Sequence, residues 1–246
     1  MTLTQRGKYY RDCSLYERAY WFFLEAAYSE GDMEAIENIG LLYLYGEYPR
    51  QDFTKAFKYL RKAYAATGNA RMIGKIMEAR KDISEDANGR MQYKEFLEFL
   101  AESGETRAYI LMAQEYGEGI IFPYSIDMKI ECLKAAADRG ESFGYECLGE
   151  MYFKGDGVER SYKRAYEFLN MTDCNSSFVR PYCLAEMYRK GLYVEKNVDK
   201  AAEYYAWIAN AEVHMKACDP YYLRACELLA KLGKMGNYYG ILAKSG

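Results

Sequence analysis

LGEMYFKGDGVERSYKRAYEFL, residues 148–169, is the stretch that decides the fold, because its spacing recurs along most of the chain. It places a small residue, Gly149, three positions before Tyr152. Apolar residues three and four positions apart occur on both sides of a Gly-Asp-Gly turn, and such spacing marks one face of an α-helix. The stretch therefore predicts two amphipathic helices joined by a glycine turn.

Three series of residues repeat this unit at a nearly constant period. The small residue and its tyrosine recur as Gly40/Tyr43, Ala113/Tyr116 and Ala185/Tyr188, with Met77/Arg80 as a degenerate member. A second, usually small, residue precedes bulky ones at Ala19, Ala56, Tyr93, Ile130, Ala165 and Ala201, at intervals of 37, 37, 37, 35 and 36. Glycines end segments at Gly31, Gly68, Gly104 and Gly140. A period of 35–37 residues without strand-like alternation predicts an all-α solenoid of helix pairs.

The three series place the helices of each pair. First helices are predicted near 32–45, 69–81, 105–117, 142–154 and 179–190. Second helices are predicted near 9–29, 53–66, 88–103, 126–139, 161–171 and 198–210, with a final helix near 220–232. Residues 1–246 are predicted to be a single repeat domain of about five to six units: a half unit 1–31, full units 32–68, 69–104, 105–140, 141–178 and 179–212, and a C-terminal cap 213–246.

The small residues have a packing reason. Where two helices of a pair cross, a side chain larger than alanine would hold the backbones apart, and flanking aromatic rings fill the space around the crossing. Tyrosine suits this role because its ring buries apolar area while its hydroxyl reaches the edge. We interpret most of the 27 tyrosines as packing residues on this ground.

The stretch 148–169 resembles the Sel-one-like repeat, a relative of the tetratricopeptide repeat whose units read roughly A-x-x-L-G-x-x-Y-x-x-G-x-G-V-x-x-D-x-x-K-A. Residues 39–60, 112–133 and 184–205 resemble it with losses, whereas the unit 69–104 fits by spacing alone. The resemblance implies a right-handed α–α superhelix with a concave face. It also implies a non-catalytic scaffold or adaptor that binds a protein or peptide.

Composition excludes several other classes. Thirty-three basic and 36 acidic residues give a net charge of −3, so the chain has no global attraction to nucleic acid or to an anionic membrane. No apolar run reaches the roughly 18 residues of a membrane helix, and the start lacks a secretory pattern. We expect a cytoplasmic protein without membrane insertion.

Groups that could perform catalysis are scarce, so we expect no enzyme, no metal and no cofactor. His214 is the single histidine. The sequences GEGI at 117–120 and GDGV at 155–158 lie in repeat turns and lack the lysine of a phosphate loop. Glu146 and Glu150 share a helical face, which favours solvent exposure over an acid–base pair. The alternative is a cysteine-containing repeat enzyme or a β-lactam-type binder, although no Ser-x-x-Lys signature is present.

Seven cysteines are odd in number and show no metal spacing, so reduced thiols are expected. Cys147 and Cys183 occupy equivalent repeat positions, which keeps a disulfide between them as an open alternative.

Residues displaced around each first helix from the buried small residue are predicted to line the concave face. These candidate partner-binding residues are Tyr45, Arg71, Lys81, Arg107, Gln114, Phe143, Glu146, Glu150, Phe153, Lys154, Tyr182, Arg189 and Lys190. The six lysines and arginines are predicted to hold carboxylate groups of a peptide, and the aromatic residues its apolar side chains.

The ends of a solenoid need covering. The first helix of the N-terminal unit looks absent, so Tyr20, Phe23, Leu24 and Ala27 are predicted to lack one neighbour. Three arrangements remain open: residues 1–10 fold back, the chain belongs to a longer protein, or a second copy packs there. We favour the last, a homodimer through the N-terminal helix.

Overall fold

Fourteen α-helices and no strand make up the part of the chain that a computed structural model describes, which is residues 1–48, 50–172, 177–210 and 219–233. The all-α prediction is confirmed. The chain divides into two compact units, unit 1 at Met1–Ser125 and unit 2 at Ile126–Gly246.

Unit 1 contains eight helices: α1 Leu3–Asp12, α2 Tyr16–Ser29, α3 Met33–Tyr45, α4 Phe53–Thr67, α5 Met72–Glu78, α6 Arg80–Glu85, α7 Ala87–Glu102 and α8 Thr106–Glu118. Unit 2 contains six in its described residues: α9 Ile126–Asp138, α10 Phe143–Lys154, α11 Tyr162–Leu169, α12 Val179–Lys190, α13 Val198–Asn210 and α14 Pro220–Lys231.

Each unit is a stack of helix pairs. In unit 1, α1 packs on α2 and α3 on α4, and the pairs join where α2 meets α3 and α4 meets α7. In unit 2, α10 packs on α11 and α12 on α13, and α12 also contacts α10 and α14. Each unit is therefore built as an α-solenoid is built, from neighbouring pairs.

The crossing of a pair explains the small residues. A β-carbon on Gly149 would lie 2.5 Å from Cγ of Leu169, and one on Gly40 would lie 2.9 Å from Cγ of Leu60. These distances are shorter than carbon atoms tolerate, so a larger residue would push the helices apart. The packing reason predicted from the sequence is confirmed at both crossings.

The repeated tyrosines form stacked aromatic pairs across the same crossings. Tyr152 stacks on Phe168 with ring centroids 5.6 Å apart, and Tyr188 stacks on Tyr204 at 6.1 Å. The basic residue before the second small residue covers the tyrosine: the Lys200 ammonium lies 4.1 Å from the Tyr188 centroid. Equivalent pairs occur at Tyr43 with Tyr59 and Lys55, and at Tyr152 with Arg164. Stacking and cation–π contact thus account for the repeated Lys-Ala signature.

Side-chain caps and glycines set the helix ends. The Asp52 carboxylate accepts from the Lys55 amide and the Ser161 hydroxyl accepts from the Arg164 amide, so one of the otherwise unpaired amides at the start of α4 and of α11 is satisfied. Helix α4 ends at Gly68, whose φ of +61° lies in the left-handed region that favours glycine.

The predicted helix over 9–29 is wrong, because α1 and α2 form a complete pair there. Residues 1–10 fold back, and Phe23 is fully buried against Gly7 of α1. The half unit at 1–31 is therefore a full unit. The missing neighbour that motivated the homodimer is present, although the homodimer itself stays a prediction.

The predicted helix over 69–81 also differs from the structure, which breaks it into α5 and α6. The backbone between them leaves helical geometry at Ala79. The predicted C-terminal helix is present as α14, but residues 211–218 and 234–246, which include His214 and part of the predicted cap 213–246, lie outside the described residues.

Candidate functional site

Each unit has its own first-helix face: the exposed side chains of α3, α5, α6 and α8 in unit 1 and, separately, those of α10, α12 and α14 in unit 2. In unit 1, the predicted residues Arg71, Lys81, Arg107 and Gln114 are exposed. Within the described part of the chain, Arg71, Lys81 and Arg107 form no ion pair. These three cations are therefore available to an external carboxylate.

Tyr45 is partly buried and serves to join two successive first helices. Its hydroxyl donates to the Lys75 carbonyl at 2.9 Å and to the Glu78 carboxylate at 3.0 Å. Burial and the hydrogen bond to Glu78 raise the pKa of Tyr45 well above its ordinary value, so the hydroxyl stays a donor. Tyr45 can offer its ring to a partner, while its polar end is already used within the chain.

An ion pair to a buried carboxylate in unit 1 was not predicted. Arg80 donates to both oxygens of Glu115, at 2.7 Å and 2.9 Å, and to Glu118 at 2.5 Å. The Glu115 side chain is 1% exposed, so this is a buried ion pair between α6 and α8. The sequence signal was Arg80 itself, a cation at the position where the other units carry tyrosine.

In unit 2 the structure brings together three predicted residues and one that was missed. The Lys154 ammonium donates to the Tyr221 hydroxyl at 2.6 Å, and that hydroxyl donates to Glu150. The ring of Tyr182 lies 4.9 Å from that of Tyr221. We call Glu150, Lys154, Tyr182 and Tyr221 the Tyr221 cluster. It joins α10, α12 and α14 and leaves the Lys154 side chain 51% exposed.

The other two aromatic residues predicted in unit 2 are partly buried. Phe153 meets the ring of Tyr162 edge to face at 5.7 Å and packs against the core around Leu184, which makes its ring largely a packing group. Phe143 begins α10 and keeps part of its ring exposed.

Glu146 must be removed from the predicted partner-binding set. Its side chain is 0% exposed and accepts a hydrogen bond from the Ser177 hydroxyl at 2.5 Å. Its position three residues before Gly149 faces the neighbouring helix pair instead of solvent. Helical spacing gave the direction of this side chain but not the element that covers it.

The two basic residues at the end of α12 are held by a buried carboxylate. Arg189 donates to both oxygens of Glu186, at 2.8 Å and 2.9 Å, and Lys190 pairs with the same group. The Tyr205 hydroxyl also donates to it. Burial alone would raise the pKa of Glu186, but the hydrogen bonds from Arg189, Lys190 and Tyr205 outweigh it and lower the pKa to about 2.

Replacing Glu186 by glutamine is expected to lower the free energy of unfolding at pH 7 by about 2 kcal/mol, since a buried charge pair is broken while Arg189 and Lys190 keep contact with water. The folded-state pKa lies below the ordinary value of 4.5, so the carboxylate stabilises the fold above pH 4.5. That contribution is lost as the pH falls towards 2. Urea denaturation at a series of pH values measures both effects.

Glu227→Gln is the matched control, because Glu227 pairs with Arg224 and Lys231 on the surface of α14. It should leave stability and its pH dependence nearly unchanged. Equal effects of the two substitutions would contradict the structural role of Glu186.

Two thiols of unit 2, Cys132 and Cys147, do not have the character of nucleophiles. Cys13, Cys132, Cys147, Cys183 and Cys226 are free. Burial, with a smaller contribution from Glu131, raises the pKa of Cys132 to about 11. Burial, helped by Glu150 and Glu146, raises that of Cys147 to about 12. These thiols remain protonated at neutral pH, whereas a reactive cysteine needs a lowered pKa.

In the described ranges, no group of three or more His, Cys, Asp or Glu side chains is placed to hold a metal ion. Among the helices that the structure describes, none combines the length and apolar character that a membrane crossing requires.

A family model described as Sel1 repeat matches the chain at residues 34–67, 106–141, 148–171 and 182–206. The unmatched segment between the first two matches contains α5, α6 and α7, where the sequence departs from the repeat pattern. No curated protein sequence matches the chain.

Two solved structures have a similar fold. One is a Sel1 repeat protein from Oxalobacter formigenes, with a TM-score of 0.56 and 20% identity over 87% of this chain and 88% of that one. The other is c5321, a protective antigen of uropathogenic Escherichia coli strains with an SLR fold, with a TM-score of 0.53 and 22% identity. The match covers 89% of this chain and 49% of c5321, so the chain spans about half the length of c5321. At these identities the likeness shows the fold alone.

Proposed function

The chain belongs to the Sel1 repeat family, and from this premise we propose that it is a non-catalytic scaffold or adaptor whose first-helix face binds a protein or peptide. Sel1 repeat proteins are generally protein-interaction scaffolds. The proposal names the surface and the chemistry of its partner.

The observation that carries the proposal is the supply of unpaired cations and partly exposed rings on first helices. Arg71, Lys81 and Arg107 are exposed and form no ion pair within the described residues of unit 1. Arginine and tyrosine are the residue types that most often dominate binding energy at protein interfaces. A partner with carboxylate side chains complements these cations, and charge-assisted hydrogen bonds to arginine are among the stronger polar contacts.

The first-helix faces of the two units differ in chemistry. In unit 2, Arg189 and Lys190 already share the buried Glu186, and Lys154 belongs to the Tyr221 cluster. These cations are therefore held in fixed positions, where they can contribute a second hydrogen bond without losing their first. Ordered side chains lose less entropy on binding than free ones. The aromatic contacts of unit 2 come from Tyr182 and Tyr221.

The alternative is a cysteine-containing repeat enzyme or a β-lactam-type binder, and the raised pKa of Cys132 and Cys147 disfavours only an enzyme that uses one of these two thiols as its nucleophile. A nucleophilic cysteine needs a neighbouring cation or base that stabilises its thiolate, whereas burial and neighbouring glutamates raise the pKa of both thiols. The absence of a cofactor, the exclusion of nucleic acid and the cytoplasmic location remain predictions from the sequence.

Capture from a lysate of the source cell tests the proposal. The variant Lys81→Glu with Arg107→Glu is expected to lose the protein that the parent chain retains, because it reverses two cations of the first-helix face. The matched control is Lys134→Glu with Lys163→Glu, which makes the same change in net charge at exposed positions of the second helices α9 and α11. Equal retention by the parent and both variants would move the site away from the first-helix face.

A further inference from the structure

A cleft of about 420 Å³ lies between α4 and α7, which are second helices and therefore separate from the first-helix face. Its apolar part is formed by the rings of Phe57 and Phe99, and its polar part by Lys58, Arg61, Lys62 and Gln92. The three cations are spaced three and four residues apart on α4, so they share one side of that helix.

Within the described residues of unit 1, these three cations have no carboxylate in ion-pair contact. Lys55 on the same helix, by contrast, pairs with Asp52 at 3.3 Å. Three positive charges beside an apolar cleft create a local positive potential in a protein whose net charge is −3. The cleft is thus complementary to an anion that carries more than one negative charge.

The position of Arg61 is a second, independent observation at this cleft. Within the described residues, its Nε atom is buried and has no hydrogen-bond partner. The guanidinium carbon lies 5.2 Å from the centroid of the Phe99 ring, so the ring holds the group over the cleft. A buried N–H without an acceptor is destabilising, and native proteins keep few of them. A small shift of the Arg61 side chain towards the cleft would let a ligand oxygen accept from this donor.

We propose that the cleft binds a phosphate monoester attached to an aromatic ring. The phosphate group carries a charge of about −1.5 to −2 and three acceptor oxygens, which matches the Arg61 donor and the ammonium groups of Lys58 and Lys62. The attached ring packs against the partly exposed ring of Phe99, and the buried ring of Phe57 supports the floor of the cleft. A single carboxylate would leave most of the positive charge uncompensated.

Titration of the whole chain with phenyl phosphate, followed by amide chemical shifts in NMR spectra, tests the proposal. Shifts are expected at residues of α4 and α7, with tighter binding than for inorganic phosphate or for phenylacetate. Added salt should weaken the binding. A second titration with phosphotyrosine amide distinguishes the two sources of an aryl phosphate. Tighter binding than that of phenyl phosphate indicates a phosphorylated protein chain, whereas equal or weaker binding indicates a small molecule. Both results support a site for a phosphate dianion in this cleft.

Arg61→Gln is expected to weaken phenyl phosphate binding at least about tenfold, because a charged hydrogen bond is lost. Lys62→Gln, at an exposed position, should weaken it as well and serves if Arg61→Gln fails to fold. Lys55→Gln is the matched control and should bind as the parent does. Unchanged affinity in folded Arg61→Gln or Lys62→Gln, phenylacetate binding as tight as phenyl phosphate, or shifts outside the cleft would overturn the proposal.

Discussion

Replacing Arg80 by leucine is expected to lower the free energy of unfolding by about 3 kcal/mol, because it leaves a buried carboxylate without its counter-charge. Glu115 is 1% exposed and receives two hydrogen bonds from Arg80. Leucine fills part of the same volume but offers no donor. Equilibrium denaturation in urea, followed by circular dichroism at 222 nm, measures the change.

Two further variants separate the ion pair from other effects of the substitution. The double variant Arg80→Leu with Glu115→Leu should recover most of the loss, since two apolar side chains can replace a buried pair with little cost. Lys75→Leu is the matched control, because Lys75 pairs with Glu78 where both side chains are more than half exposed. Equal stability of the single and double variants would mean that Arg80 acts through packing instead of charge.

Replacing Gly144 by alanine is expected to destabilise the chain by about 2 kcal/mol, although alanine is the better helix former by about 1 kcal/mol. A β-carbon there would lie 2.5 Å from the Leu133 carbonyl oxygen, which is backbone of α9 and cannot rotate away. Helices α9 and α10 would have to separate. Urea denaturation of the variant and the parent measures the difference.

Gly74→Ala is the matched control for this substitution. Gly74 lies inside α5, and a β-carbon there would meet no atom within 4 Å. The variant should be as stable as the parent or more stable by up to about 1 kcal/mol, because only the helix propensity changes. Destabilisation of both variants by a similar amount would contradict the close approach of α9 and α10.

The repeated packing could be predicted from the sequence because it depends on local spacing. Gly149 and Leu169 belong to one helix pair, and the helical period alone brings Gly149 to the crossing. The family pattern supports the same spacing. The two series of small residues therefore predicted the crossings of α3 with α4 and of α10 with α11.

The contacts between successive units could not be predicted in the same way. Arg80 and Glu115 are 35 residues apart, and Glu150 and Tyr221 are 71 apart, so their meeting depends on how neighbouring pairs stack. For the same reason the spacing did not reveal that Glu146 is covered. Side-chain direction follows from one helix, whereas burial requires its neighbours.

Helix α1 was missed although the sequence carries a signal for it. Its only buried residues are Thr4 and Gly7, so it shows no apolar stripe. The signal is the capping box, in which the Thr2 hydroxyl accepts from the Gln5 amide and the Gln5 side chain accepts from the Thr2 amide. A threonine followed three residues later by glutamine marks this helix start.

The most direct measurement of the proposed function is photo-crosslinking of the captured partner to single positions on the chain. A photoreactive residue replaces Gln114 on α8 in one sample and Glu25 on α2 in another, both exposed positions of unit 1. The account predicts a covalent adduct from position 114, on the first-helix face, and none from position 25, on a second helix. An adduct from position 25 with none from position 114 would contradict it.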